Sequence, residues 1–172
     1  MTSKVLIREA WSEELAAVEA LVKGAYQEFR EQVPEEGWGY WMESISQALH
    51  SGEGVILVAE ADGVIQGAVQ FFPDATRALQ GRWPAGAATI RLLAVRPETR
   101  GRGLGTLLTQ ECLRQARNLK IPTIYLYTGR FMLAARHIYE KLGFQRAPEY
   151  DPPLKPGPIA YRLDLKAIDF LF

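Results

Sequence analysis

The chain has 172 residues, an apolar fraction of 48%, and 20 basic against 20 acidic side chains. That length supports one well-buried core, and a neutral chain lacks the phosphate-neutralising charge on which general nucleic-acid binding rests. A single cysteine, Cys112, excludes an internal disulfide and a cysteine-rich metal site, and two isolated histidines, His50 and His137, have no ligand spacing, so no metal is expected.

Val5 to Arg8 reads as a first strand. Ser12 is a candidate N-cap, with Glu13 and Glu14 in the first turn. Leu15, Val18, Leu21, Val22 and Ala25 recur at helical spacing and predict a helix to about Phe29. Gln32 to Gly37 reads as a loop and Trp38 to His50 as a second helix. Val55 to Glu60 and Val64 to Phe72 read as strands joined by an Asp62-Gly63 turn. Pro73 to Gly86 is a loop, Ala88 to Val95 a strand, Gly103 to Asn118 a helix, Thr123 to Thr128 a strand, and Phe131 to Leu142 a helix stopped by Gly143. Gln145 to Pro158 reads as irregular and Ile159 to Leu165 as a last strand.

Three consecutive strands in mid-chain exclude a doubly wound sheet. The expected class is α+β, an α/β sandwich with a mixed, mostly antiparallel sheet and helices on both faces, forming a single domain over residues 1–172. Residues 1–10 carry no signal-peptide core and no apolar run reaches membrane-spanning length, so a cytoplasmic location without a membrane partner is expected. The apolar tail, residues 167–172, could cap its own core or meet a second copy in a homodimer.

Charge is unevenly placed. Residues 1–63 hold four basic against twelve acidic side chains, whereas residues 91–136 hold nine against two. A basic half suits an anionic cofactor, and an acidic half suits a cationic amine.

The most informative stretch is Leu92 to Thr106, a strand, a turn holding Gly101, Gly103 and Gly105, and a helix start. Bare peptide N–H groups at a helix start, the partial positive charge there, and Arg96, Arg100 and Arg102 together form a site for a diphosphate. The turn is not a Walker loop, since no Gly-Lys-Ser/Thr follows. Nor is it a dinucleotide fingerprint, because Thr106 or Leu108 stands where the last glycine belongs.

Arg100-x-x-Gly103-x-Gly105 after Leu93-Ala94-Val95-x-Pro97 resembles the signature loop of the GNAT superfamily of acyl-CoA-dependent N-acyltransferases. A second block, Ala135-x-x-x-Tyr139-x-Lys141-x-Gly143-Phe144, is similar to that family's later helix. The two blocks cover residues 89–144. The resemblance implies a GNAT fold whose strands around Leu93 and Tyr125 splay apart to admit the pantetheine arm of acetyl-CoA. It implies cofactor contacts at Leu93, Ala94, Val95, Arg100, Gly101, Arg102, Gly103, Leu104, Gly105 and Thr106, and a general acid at Tyr139. The implied reaction is direct attack of a primary amine on acetyl-CoA in a ternary complex, with a small-molecule acceptor favoured over a protein. Met132 stands where many relatives carry an asparagine that touches the cofactor arm.

No acid lies on the central strand, which offers Thr89, Ile90 and Arg91. Glu28, Glu31, Glu35, Glu36 or a water chain is left as the base. Trp38, Tyr40 and Trp41 either line the acceptor pocket or pack their helix. Cys112 and His137 read as a buried thiol and an exposed or packed side chain. A non-catalytic acyl-CoA-binding sensor is the alternative, and a mononucleotide-binding protein a third reading.

Overall fold

The computed structural model describes residues 4–154 and 157–166. It has seven strands and four α-helices. In chain order these are β1 (Val5–Glu9), α1 (Leu15–Tyr26), α2 (Glu35–Leu49), β2 (Val55–Ala61), β3 (Val64–Phe72), β4 (Ala88–Val95), α3 (Leu104–Asn118), β5 (Thr123–Thr128), α4 (Leu133–Lys141), β6 (Gln145–Arg146) and β7 (Ile159–Asp164). The strands form one sheet in the order β1-β2-β3-β4-β5-β7-β6. Every pairing is antiparallel except β4 with β5, which α3 connects as a crossover. The α+β class and the mixed sheet read from the element order are therefore present.

Helices cover both faces, because alternate strand residues are apolar on both sides. On one face Val18, Leu21, Val22 and Ile45 of α1 and α2 pack on Val58, Ala68 and Ala94. On the other, Leu104, Leu108, Cys112 and Leu113 of α3, with Tyr139 of α4, pack on Leu57, Val69, Ile90 and Leu126. A third cluster, Ala75, Trp83, Tyr125 and Ala160, covers the β5–β7 half on the α1 side.

Several boundaries differ from the sequence reading. Ser12 is not the N-cap: the Trp11 N–H donates to the Glu14 carboxylate at 2.8 Å, while the Ser12 hydroxyl donates to Glu13. Helix α1 ends at Tyr26 and tightens into a 3₁₀ segment over Gln27–Gln32. Helix α2 begins at Glu35 rather than Trp38, since Glu35 and Glu36 suit the positive start of a helix and Pro34 fits the position before it. The short strand β6 inside the proline-rich segment escaped periodicity because two residues carry none. The tail, residues 167–172, lies outside the described residues.

One irregularity shapes the centre of the sheet. Gln70 pairs with Arg91 and Ala68 with Ala94, so β4 holds one residue more than β3 across this stretch. Leu92 absorbs the extra residue at φ +60, in the left-handed region where a leucine costs about 1–2 kcal/mol. The bulge turns β4 aside. Its pairing with β5 covers only Ala88, Thr89 and Ile90, and Leu93 to Val95 have no partner there. The splay thus opens just beyond the Ile90–Leu126 pair.

Candidate active site

The opening between β4 and β5 leads straight to the glycine turn. After Pro97–Thr99, a 3₁₀ segment, Gly101 and Gly103 take φ +81 and +79 and face open space. Only glycine adopts this conformation cheaply. Gly103 is the N-cap of α3, and no side chain caps the helix. The first N–H groups of α3, at Leu104, Gly105 and Thr106, thus lie at an uncapped positive helix end beside an exposed turn. Gly105 has a different task from its neighbours. A Cβ there would meet Ile138 Cδ1 at 2.8 Å, so this glycine lets α3 lie close against α4.

The three arginines of the turn have separate fates. Arg96 is taken by β3: its Nε donates to the Ile65 carbonyl at 2.9 Å and its own N–H to Gln66 at 2.8 Å. It therefore ties the end of β4 to β3 through its backbone and one side-chain N–H. Arg100 ion-pairs with Glu28 and donates to the Ala25 carbonyl at 3.3 Å. Arg102 is exposed and, among the described residues, has no partner.

Tyr139 is buried on α4, its ring against Phe144 at 5.5 Å. Burial pushes its phenol well above 10, and the charges that Tyr26 and Cys112 could carry push it further. Tyr26 belongs to the α1 side of the sheet and Tyr139 to the α3 side. Among the described residues no protein group hydrogen-bonds the Tyr139 hydroxyl. The Tyr26 hydroxyl donates to the Leu93 carbonyl at 2.9 Å and occupies one of the backbone groups in the unpaired stretch of β4. Periodicity reads Tyr26 as core, and its polar task is visible only once α1 lies over β4.

Met132, the departure from the family pattern, turns its sulfur inward to accept from the Gly129 N–H at 3.3 Å and the Thr128 hydroxyl at 3.5 Å. Its side chain finishes β5 and does not face outward as an amide would. Glu28 is held by Arg100, and Glu31, Glu35 and Glu36 are exposed. Trp38 and Trp41 join Tyr26, Phe29 and Phe131 in an aromatic cluster, whereas Tyr40 is exposed. Cys112 is fully buried, and burial raises its thiol. His137 is exposed. Among the described residues no group of three potential ligands could hold a metal, and no helix is long and apolar enough to cross a membrane.

Comparisons with known proteins agree with this geometry. Mycothiol acetyltransferase of Tsukamurella paurometabola is 35% identical over 122 residues, spanning 66% of this chain but only 36% of that protein. An uncharacterised N-acetyltransferase of Schizosaccharomyces pombe is 33% identical over 81 residues, 46% of this chain and 49% of the other. Among solved structures, the PaiA N-acetyltransferase of Thermoplasma acidophilum in complex with coenzyme A superposes with a TM-score of 0.71 at 17% identity, covering 94% of this chain and 99% of that one. The putative acetyltransferase yncA of Salmonella typhimurium, with acetyl-CoA, gives a TM-score of 0.65 at 20% identity over 95% of each chain. Residues 16–144 match the acetyltransferase (GNAT) family, and the chain belongs to that family.

Proposed function

We propose that this chain transfers an acetyl group from acetyl-CoA to a primary amine of a small molecule, by direct attack in a ternary complex. The observation that carries the reading is the opening of β4 away from β5, which runs directly into the uncapped start of α3 behind Gly101 and Gly103. An unpaired strand edge followed by a bare helix end fits a long ligand with amides at one end and phosphates at the other.

In this reading the N–H groups from Gly101 to Thr106, with Arg100 and Arg102, hold the diphosphate. Backbone groups of Leu93, Ala94 and Val95 hold the pantetheine arm, and a backbone N–H near Val95 polarises the acyl carbonyl. Acetyl-CoA supplies the acyl group as a thioester with a thiol as leaving group. The amine nitrogen bonds to the acyl carbon as the carbon–sulfur bond breaks, and Tyr139 donates its phenolic proton toward the departing sulfur. Burial keeps the phenol protonated at neutral pH, so its proton is available to the sulfur. The proton the amine must lose passes to Glu28, Glu31, Glu35, Glu36 or water, or is already absent from the amine's minor free-base form. The bacterial relatives are named for mycothiol, which favours a small acceptor.

Release of free CoA thiol with a panel of amines tests the reading. Tyr139→Phe should lower kcat about a hundredfold while CoA affinity stays within about twofold. An unchanged turnover and pH profile would remove Tyr139 from the mechanism. The absence of an acid on β4, with Met132 in the later block, favours one second reading, a non-catalytic acyl-CoA sensor, which predicts CoA binding without thiol release.

A further inference from the structure

The face of the sheet that carries α1 and α2 holds a cation without a counter-charge. Arg91 follows Ile90, the last β4 residue paired with β5, and so stands where the strands part. Alternation along β4 puts it on the face opposite Ile90, which packs on the α3 side. The side chain is partly buried. Among the described residues it uses one of a guanidinium's five N–H groups, Nη1 donating to the Ala78 carbonyl at 3.1 Å, and it forms no ion pair. The charged or titratable group felt at Arg91 is Tyr26, whose hydroxyl is already committed to Leu93. A guanidinium cannot escape desolvation by losing its proton, and a partner anion would offset that cost.

A second donor waits on the same face. Trp83 is 6% exposed, stacks on Tyr125 at 5.1 Å, and leaves its Nε1–H buried without an acceptor. Tyr125 pairs with Thr89, one same-face position from Arg91. The loop carrying Trp83 is also the one whose Ala78 carbonyl receives Arg91. Arg91 pairs across the β3–β4 ladder with Gln70, whose Oε1 is a buried acceptor without a partner. The four remaining guanidinium N–H groups and the indole N–H outnumber that single acceptor, an excess of donors that suits an anion.

Resting on the acetyl-transfer reading, we propose that Arg91 holds a carboxylate of the acceptor, so that the substrate is an amine that is also an acid. The guanidinium fork matches the two oxygens of a carboxylate and its single charge. A purely cationic amine, which the acidic N-terminal half suggests, would meet Arg91 as a like charge. The acidic side chains of that half are mostly exposed or paired elsewhere, as Glu28 is with Arg100 and Glu53 with Arg77.

Matched pairs test this: α-amino acids against the amines in which hydrogen replaces the carboxyl. The acid of the best pair should be favoured about tenfold or more in kcat/KM. Arg91→Gln should collapse that ratio toward one, and Arg91→Lys should retain much of it. A merely structural Arg91 would lower both members of a pair alike and leave the ratio intact. Calorimetry on the CoA-loaded protein gives a readout without turnover. An N-acetyl amino acid should bind about tenfold more tightly than the corresponding N-acetyl amine, and Arg91→Gln should erase the difference. Arg91-dependent binding of the acid without turnover of any amine would refute acetyl transfer and leave the carboxylate site standing. Brisk turnover with a ratio near one, or a ratio unmoved by Arg91→Gln, would overturn the carboxylate site and leave acetyl transfer standing.

Discussion

Replacing Gly103 by alanine separates backbone strain from ligand contact, because Gly63 provides a matched control. Gly103 lies at φ +79 and Gly63 at φ +77, and a Cβ added at either meets nothing within 4 Å. Each substitution therefore places an L residue in the left-handed region at about 1–2 kcal/mol, with no clash to add. In a domain of this size that cost lowers Tm by about 2–4 °C per kcal/mol, and thermal unfolding of the apo proteins should show similar losses for the two. Gly63 occupies the turn between β2 and β3, whereas Gly103 caps the helix proposed to receive the diphosphate. In that proposal the new methyl of Gly103→Ala stands in the space a phosphate oxygen would enter. CoA affinity, read by titration calorimetry, should then fall about tenfold or more in Gly103→Ala, equivalent to about 1.4 kcal/mol, and hold within about twofold in Gly63→Ala. Equal CoA affinities in the two variants would refute the assignment of phosphates to this turn.

Other expectations follow from pairings and burial. Glu28→Gln frees Arg100 from a half-exposed pair worth about 1 kcal/mol at most, so CoA affinity should rise by up to about fivefold with little change in stability; a loss of turnover instead would identify Glu28 as the base. The native state holds Tyr26, Tyr139 and Cys112 protonated by burial, while the unfolded chain releases those protons above about pH 8.5 for the thiol and about pH 10 for the phenols. Stability should therefore be full below that range and fall as pH rises through it, with the ultraviolet signature of those two phenolates emerging only on unfolding. For the same reason the pH profile of kcat/KM should show no descending limb from Tyr139 below about pH 10. Leu108→Ala, at a fully buried position of α3, should cost about 2–5 kcal/mol in denaturant unfolding.

Every strand except β6, and helix α3, was legible in the sequence because apolar runs bounded by clear turn signals mark them. Val64 to Phe72 and Thr123 to Thr128 match their predicted limits. The glycine turn was legible because left-handed backbone demands glycine, and Gly101 and Gly103 both adopt it. Gly105 belonged to the same motif for a different reason, the contact between α3 and α4, which no local pattern encodes. Pairings remote in sequence stayed hidden. Glu28 and Arg100 are 72 residues apart, as Tyr26 and Leu93 are 67, and only the packing of α1 on β4 joins them. The one local signal passed over was Arg91, a full charge inside the apolar strand Ala88–Val95.

Titration calorimetry of the folded chain with CoA, set beside pantetheine, tests the central claim most directly. Binding of CoA at least about a hundredfold tighter than pantetheine, weakening as salt rises, is the result predicted by a turn that grips the diphosphate. No heat with CoA, or equal affinity for the two, would contradict it.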